Sequence, residues 1–282
     1  MNKVVIFSDS TCDLSQELIE KNDIKIVPLY VCFGNEIYKD GAEINPAQLY
    51  KLVKIKKELP KTACPSPEDF SAAFKPYIEA GYDIFYTGIG GGFSGSLQSA
   101  KVAADSFPQG RIELVDSCNL SSGTGLLVLK ACKFRDEGME VHAIAQNIAA
   151  IVPNVRAQFV IDTLEYLHKG GRCSGMSRLV GTLFNIKPNI KVVDGKMIVA
   201  RKARGMKMGL KMQIEDVQAD LYNIDPDFIM VTHSLANKSA EIIIPELKSM
   251  GFTDKQINET PAGCVVSTHC GEGTIGILYI VK

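Results

Sequence analysis

Short apolar runs along the 282-residue chain alternate with longer stretches of helical period. Lys3 to Phe7 is apolar, stops at Ser8-Asp9-Ser10-Thr11, and leads through Asp13 and Ser15 into a helical pattern ending near Asn22. Ile24 to Phe33, rich in β-branched and apolar residues, predicts a second strand, with a short extended piece at Glu36 to Tyr38. Asn45-Pro46 sets an N-cap and a proline at the first position of a helix through about Lys56. Ser66-Pro67-Glu68-Asp69 is a capping box for a helix closed by Gly81, and Thr62 falls in the loop before it. A strand over Asp83 to Thr87, a glycine loop, a helix to about Ser106, a strand over Arg111 to Val115, and helices over Ser121 to Glu137 and Val141 to Ile151 follow. Strands separated by helices predict a mostly parallel sheet with helices on both faces.

The grammar changes at Pro153-Asn154, which places a boundary between domains 1–153 and 154–282. After a strand over Val155 to Ile161, Asp162-Thr163-Leu164-Glu165 caps a short helix that Gly170-Gly171 ends, and a second helix runs from about Ser174 to before Pro188. Asp194-Gly195 between Asn189–Val193 and Lys196–Ala200 is a two-residue hairpin turn, so this domain contains antiparallel pairing. A helix over Met206 to Tyr222, a strand over Phe228 to Thr232, a helix through Met250, and strands around Gln256 to Glu259 and Ile275 to Val281 complete a mixed α/β sheet. The fold class is a two-domain α/β protein.

Charge narrows the partners. The 31 basic and 32 acidic residues leave a net charge of -1, too small a field to gather nucleic acid or to hold more than a transient contact with a membrane surface. No signal-peptide pattern and no run near the ~20 apolar residues of a membrane span are present, which predicts a cytoplasmic protein. Eight cysteines without a C-x-x-C pair argue against a zinc cage and a disulfide framework.

The stretch with most chemical promise is Thr87 to Ser99, a strand, glycine loop and helix start, where free amide N–H groups favour an anion. Gly90-x-Gly92-x-x-Gly95, with Asp116 after the next strand, matches a dinucleotide fingerprint and implies an NAD-dependent oxidoreductase. Against this, the unit is mid-chain, and Ser94 and Ser96 add hydroxyls where a pyrophosphate needs only backbone. No P-loop occurs, because Met197 follows Gly195-Lys196, and the spacing around Ser94 fails as a hydrolase elbow. A dyad of Ser94 with a distant histidine stays open. His269 lies in a glycine-flanked loop before the last strand, whereas His142, His168 and His233 read as structural or exposed. Arg172 follows Gly170-Gly171, where it favours the helix dipole or grips a carboxylate or phosphate. Arg178, Arg201, Lys202, Arg204 and Lys207 make the second domain locally basic, as a solvated face or a docking surface.

Taken together, Ser8 to Thr11, Thr62 to Pro65, Gly90 to Ser96 with Gln98-Ser99, Asp162 to Leu167 with Gly170-Gly171-Arg172, Lys187-Pro188, and Thr268 to Gly271 with Gly273 resemble the DegV family, the fatty-acid-binding subunits of bacterial fatty acid kinase. The resemblance spans nearly the whole chain. It implies a lipid-binding carrier and not an enzyme: a long-chain fatty acid such as palmitate is the ligand, no cofactor is used, and a separate ATP-binding kinase subunit makes the acyl phosphate. Roles in fatty acid metabolism or lipid transport follow. Carried over by position, Thr62 and Ser94 with Gly95 hold the carboxyl group, Arg172 and His269 join the same polar network, and Arg201, Lys202, Arg204 and Lys207 face the kinase. Two departures stand out: many relatives have serines where this chain has Gly91 and Gly92, and Ala63-Cys64 replaces a more polar pair.

Overall fold

The computed structural model describes residues 2–174 and 185–282. β1 (Val4–Asp9) ends where the Asp9 carboxylate accepts from the Thr11 amide at 3.1 Å, turning the chain toward α1 (Gln16–Lys21), which Ser15 caps. The expected single strand over Ile24 to Phe33 is two, β2 (Lys25–Val27) and β3 (Tyr30–Phe33). Pro28, which has no N–H for a ladder, sits at the break, and β3 leaves for another sheet. β4 (Glu36–Lys39), α2 (Pro46–Lys56) and β5 (Lys61–Ala63) follow, and Thr62 lies on β5 opposite Val31 rather than in a loop. Next come α3 (Pro67–Glu79), β6 (Asp83–Tyr86), α4 (Ser96–Ala104), β7 (Ile112–Leu114), α5 (Ser122–Asp136) and α6 (Val141–Ile151).

The parallel sheet has the order β2-β1-β6-β7, and a small antiparallel sheet the order β4-β3-β5. Side chains alternate across the parallel sheet. Val5, Phe7, Ile84 and Tyr86 pack with Phe70, Phe74 and Leu97 of α3 and α4. Ile6 and Phe85 point the other way, into a cluster with α5 and α6.

The second half contains β8 (Val155–Val160), α7 (Leu164–Gly170), β9 (Cys173–Ser174), β10 (Ile186–Val193), β11 (Lys196–Arg204), α8 (Met206–Asp220), β12 (Ile224–His233), α9 (Asn237–Ser249), β13 (Ile257–Pro261), α10 (Cys264–Cys270) and β14 (Ile275–Val281). They build a mixed sheet of order β13-β12-β14-β8-β10-β11-β9. Asp194 and Gly195 take φ of 48° and 68°, the left-handed pair that a tight hairpin needs. The helix expected from about Ser174 to before Pro188 falls mostly on residues 175–184, outside the described residues, as does Arg178; at its ends, Ser174 belongs to β9 and β10 begins at Ile186. One sheet face is covered by α8 and α9 through Leu210, Val217, Ile243 and Leu247.

The other face meets α5, whose residues Ser122 to Cys132 are all buried. Such a helix, buried on every side, belongs between layers, and α5 joins the two large sheets into one core. Its buried Lys130 is held by Asp225 and Asp227 at 2.7 and 2.6 Å.

The expected loop at Ser267 to Gly273 is corrected by α10, which places His269 on a helix. The capping groups of α10 are remote in sequence. Asp13 accepts from the Gly263 amide at 2.8 Å, and Asp40 from Cys264 at 2.7 Å and Val265 at 3.3 Å. Those carboxylates satisfy amides that no local side chain caps. Among the described residues no helix is long and apolar enough to cross a membrane.

Candidate functional site

A cavity of about 320 Å³ lies between the inner face of the seven-stranded sheet and the first half of the chain. Its floor crosses strands: Thr232 of β12, Gly276 and Leu278 of β14, Ala157 and Phe159 of β8, Val192 of β10 and Met197 of β11. From β12 to β11 is four steps of the sheet, ~19 Å at ~4.8 Å each. Ile89, Phe93 and Leu120 line it from the first half, and Val265, Val266 and His269 of α10 form a wall. Gly276 stands opposite Phe159, and its missing side chain keeps the floor low.

Thr62, Ser94, Gly95, Arg172 and His269 all line this cavity. β5 and the last turn of α10 bring Thr62 Oγ1 to 2.9 Å from His269 Nε2. Ser94 Oγ lies 3.0 Å from Ser96 Oγ and accepts from the Ser96 amide at 3.2 Å, where Gly95, the N-cap of α4, offers no side chain. Gly171, at φ 67°, ends α7 and swings Arg172 to the mouth, where its Nη1 donates to Gly170 O at 2.7 Å. Gly170 abuts the imidazole so closely that a Cβ would sit 2.5 Å from Nδ1.

Burial, assisted by the positive charge of Arg172, pushes the His269 pKa down to about 4, so the ring is neutral near pH 7. Its Nδ1 is buried with no hydrogen-bond partner among the described residues. With the ring proton on Nε2, His269 donates to Thr62, and the Thr62 hydroxyl is left to donate into the cavity. The polar end therefore offers neutral hydroxyl donors, with Arg172 at its exposed rim.

The first amides of the glycine loop are taken by the protein's own groups. Gly90 N donates to Asn119 O at 2.8 Å, and Gly91 N to Asp116 Oδ1 at 3.1 Å. Asp116 also takes the Cys118 amide at 2.9 Å, so the carboxylate expected for a ribose is spent on holding the loop. The dinucleotide arrangement finds no support in this geometry.

The sequence model of the DegV family of uncharacterised proteins matches residues 3–282. The chain belongs to the DegV family. A DegV domain-containing protein of Clostridium acetobutylicum is 33% identical over 283 residues, with all of both chains covered. A solved DegV family protein from Thermus thermophilus, described by its fatty acid binding, is similar with a TM-score of 0.90 and 30% identity over 99% of this chain and 100% of that one. A stearic acid-binding protein from Eubacterium ventriosum has a TM-score of 0.84 and 26% identity over 100% of this chain and 99% of that one. The two-domain α/β fold is that of the DegV structures.

Other residues of this DegV chain lie apart from the polar end. Lys202, Arg204 and Lys207 are exposed on β11 and α8, while Arg201 is engaged by Asp216 at 2.6 Å and Glu215 at 3.4 Å. His142 pairs with Glu113 on the surface, and His168 sits in α7. His233, bonded to Glu259 at 2.9 Å, also lines the cavity. Among the described residues no group of His, Cys, Asp or Glu is placed to hold a metal ion. Sequence reasoning passed over Asp13 and Asp40, which position α10, and Ser121, which lines the cavity and donates to Asp13. Burial raises the pKa of both acids, and also that of Asp9. The sequence signal at Asp13 is a short acidic-hydroxyl stretch after β1, which reads as an ordinary turn, and Asp40 stands alone after β4.

Proposed function

We propose that this chain binds one long-chain fatty acid, with the tail in the cavity and the carboxyl group at Thr62, Ser94 and Gly95, and that it presents the carboxyl group to a separate ATP-dependent kinase. The observation that carries the reading is an apolar cavity of about 320 Å³ with Thr62, Ser94, Arg172 and His269 gathered along its wall. The length of ~19 Å across the sheet suits roughly sixteen carbons at ~1.25 Å per carbon of an extended chain. The solved relatives from Thermus thermophilus and Eubacterium ventriosum, described as binding fatty acid and stearic acid, support the ligand class.

The tail supplies the affinity. About fifteen methylenes at ~0.8 kcal/mol each give ~12 kcal/mol of gross stabilisation, against ~4 to 15 kcal/mol for association. A carboxylate leaving water requires donors, and the Thr62 and Ser94 hydroxyls limit that penalty. Phosphorylation adds negative charge at the rim, where Arg172 is available to meet it. Lys202, Arg204 and Lys207 are the exposed cations offered to a kinase, with Arg201 shaping the patch through α8. On this reading the chain is a cytoplasmic carrier rather than a catalyst, and its halves, 1–153 and 154–282, hold the ligand between them.

Native mass spectrometry of protein purified from lipid-replete cells tests this. A copurified acid of roughly 14 to 18 carbons is expected. A clean ligand-free mass overturns the reading, and a bound acid that no fatty acid kinase phosphorylates overturns the presentation step alone.

A further inference from the structure

The glycine loop that carries Ser94 fits against the tip of the β10–β11 hairpin. A Cβ on Gly92 would lie 2.4 Å from Gly195 O, and Gly92 is otherwise exposed with no other atom in its way beyond the same carbonyl group. From Gly90 to Ser94 the loop is one tight turn, in which Phe93 N and Ser94 N both donate to Gly90 O, at 2.9 and 3.3 Å. A push at Gly92 therefore rotates Ser94. The opposite side of the turn is fixed, because Gly90 N is bonded to Asn119 O and Gly91 N to Asp116. The hairpin that supplies Gly195 also carries Val192 and Met197 on the cavity floor.

We infer that the Asp194–Gly195 turn is a positioning element for Ser94: it sets head-group selectivity from the other half of the chain, and Gly92 is the residue whose lack of a side chain allows it. This rests on the fatty-acid reading above. Gly91 provides the internal comparison, since its Cβ would meet the Asp116 carboxylate at 3.0 Å, on the anchored side of the turn, and nothing of the hairpin.

The test compares affinities for palmitate and 1-hexadecanol, which share a tail and differ in head group, in the wild type, Gly92→Ala and Gly91→Ala. Gly92→Ala is expected to weaken palmitate by about tenfold, the loss of one good head-group hydrogen bond, with hexadecanol changed less than about twofold. Gly91→Ala should change the ratio clearly less than Gly92→Ala does. An unchanged ratio in Gly92→Ala, or an equal loss in Gly91→Ala, overturns the inference. A wild type that binds neither ligand overturns the fatty-acid reading instead. Amide exchange at Ser94, whose N–H donates to Gly90 O, then decides the inference: lost protection in Gly92→Ala supports it, and unchanged protection refutes it. Should Gly92→Ala not fold, one glycine inserted between Asp194 and Gly195 displaces the turn from its own side, with the same expected change in ratio.

Discussion

Thr62 Oγ1 and His269 Nε2 meet at 2.9 Å although 207 positions separate them. One lies on an edge strand of the small sheet and the other in the last turn of α10. The contact therefore closes only when the small sheet, α10 and the large sheet are all in place.

Thr62→Val removes the hydroxyl with little change in shape. Thr62 is only half-buried, so stability should fall by less than about 1 kcal/mol. Palmitate affinity should fall by about tenfold, because the ligand loses a donor that His269 holds in orientation. Isothermal titration checks the affinity and urea unfolding the stability; wild-type affinity in the variant removes Thr62 from the head-group site.

Asp40→Ala leaves the Cys264 and Val265 amides without their acceptor. The expected cost is ~2 kcal/mol, at the upper end for a lost helix cap. Because α10 carries His269, palmitate affinity should drop with it. Asp40→Asn keeps one acceptor oxygen but turns an NH2 donor toward the other amide, and should recover only part of both. A variant that loses stability and keeps full affinity separates α10 from the site.

How much of this was legible differs from element to element, for physical reasons. The limits of α6 are those expected from the apolar pattern and Pro153, and the hairpin turn sits at Asp194-Gly195, because period and turn chemistry are local signals. α10 was missed because the carboxylates that satisfy its N-terminus come from Asp13 and Asp40, over 200 positions away. β5 is three residues long, too short for any periodicity, so Thr62 read as loop. The five residues proposed for the head group came from resemblance to a family, and the cavity that they line could not be read from any one segment. Its floor takes one or two side chains from each of five strands.

The His269 pKa, down to about 4 in the folded chain against about 6.5 when exposed, sets a pH window. Between those values the unfolded chain binds the proton and the folded chain does not, so this residue's contribution is fully present above pH ~6.5 and is lost as pH falls toward ~4. Asp13 and Asp40, with raised pKa, act in the opposite sense, since the folded chain holds their protons more tightly. The comparison with His269→Gln isolates the histidine. Across that window the wild type should lose on the order of 2 kcal/mol relative to the variant in urea unfolding. Parallel pH profiles would show that the ring titrates normally.

Gly170→Ala probes the same histidine from behind. The added Cβ lands 2.5 Å from Nδ1, and the ring is the nearer obstacle, with no other residue's atom among the three closest contacts. Gly170 is the last residue of α7 and its φ is not in the left-handed region, so alanine suits the backbone and slightly favours the helix. The clash can be relieved only by moving α7 from α10 or by tilting the imidazole away from Thr62. Tilting breaks the 2.9 Å contact and frees the Thr62 hydroxyl to turn from the cavity. The variant should fold with a stability within ~1 kcal/mol of wild type and bind palmitate about five- to tenfold more weakly. Its His269 ring, tilted toward water, should titrate closer to 6.5 by NMR. Wild-type affinity together with an unshifted His269 would mean that α7 moves instead, and would assign to the α7–α10 packing the slack that this prediction places in the ring.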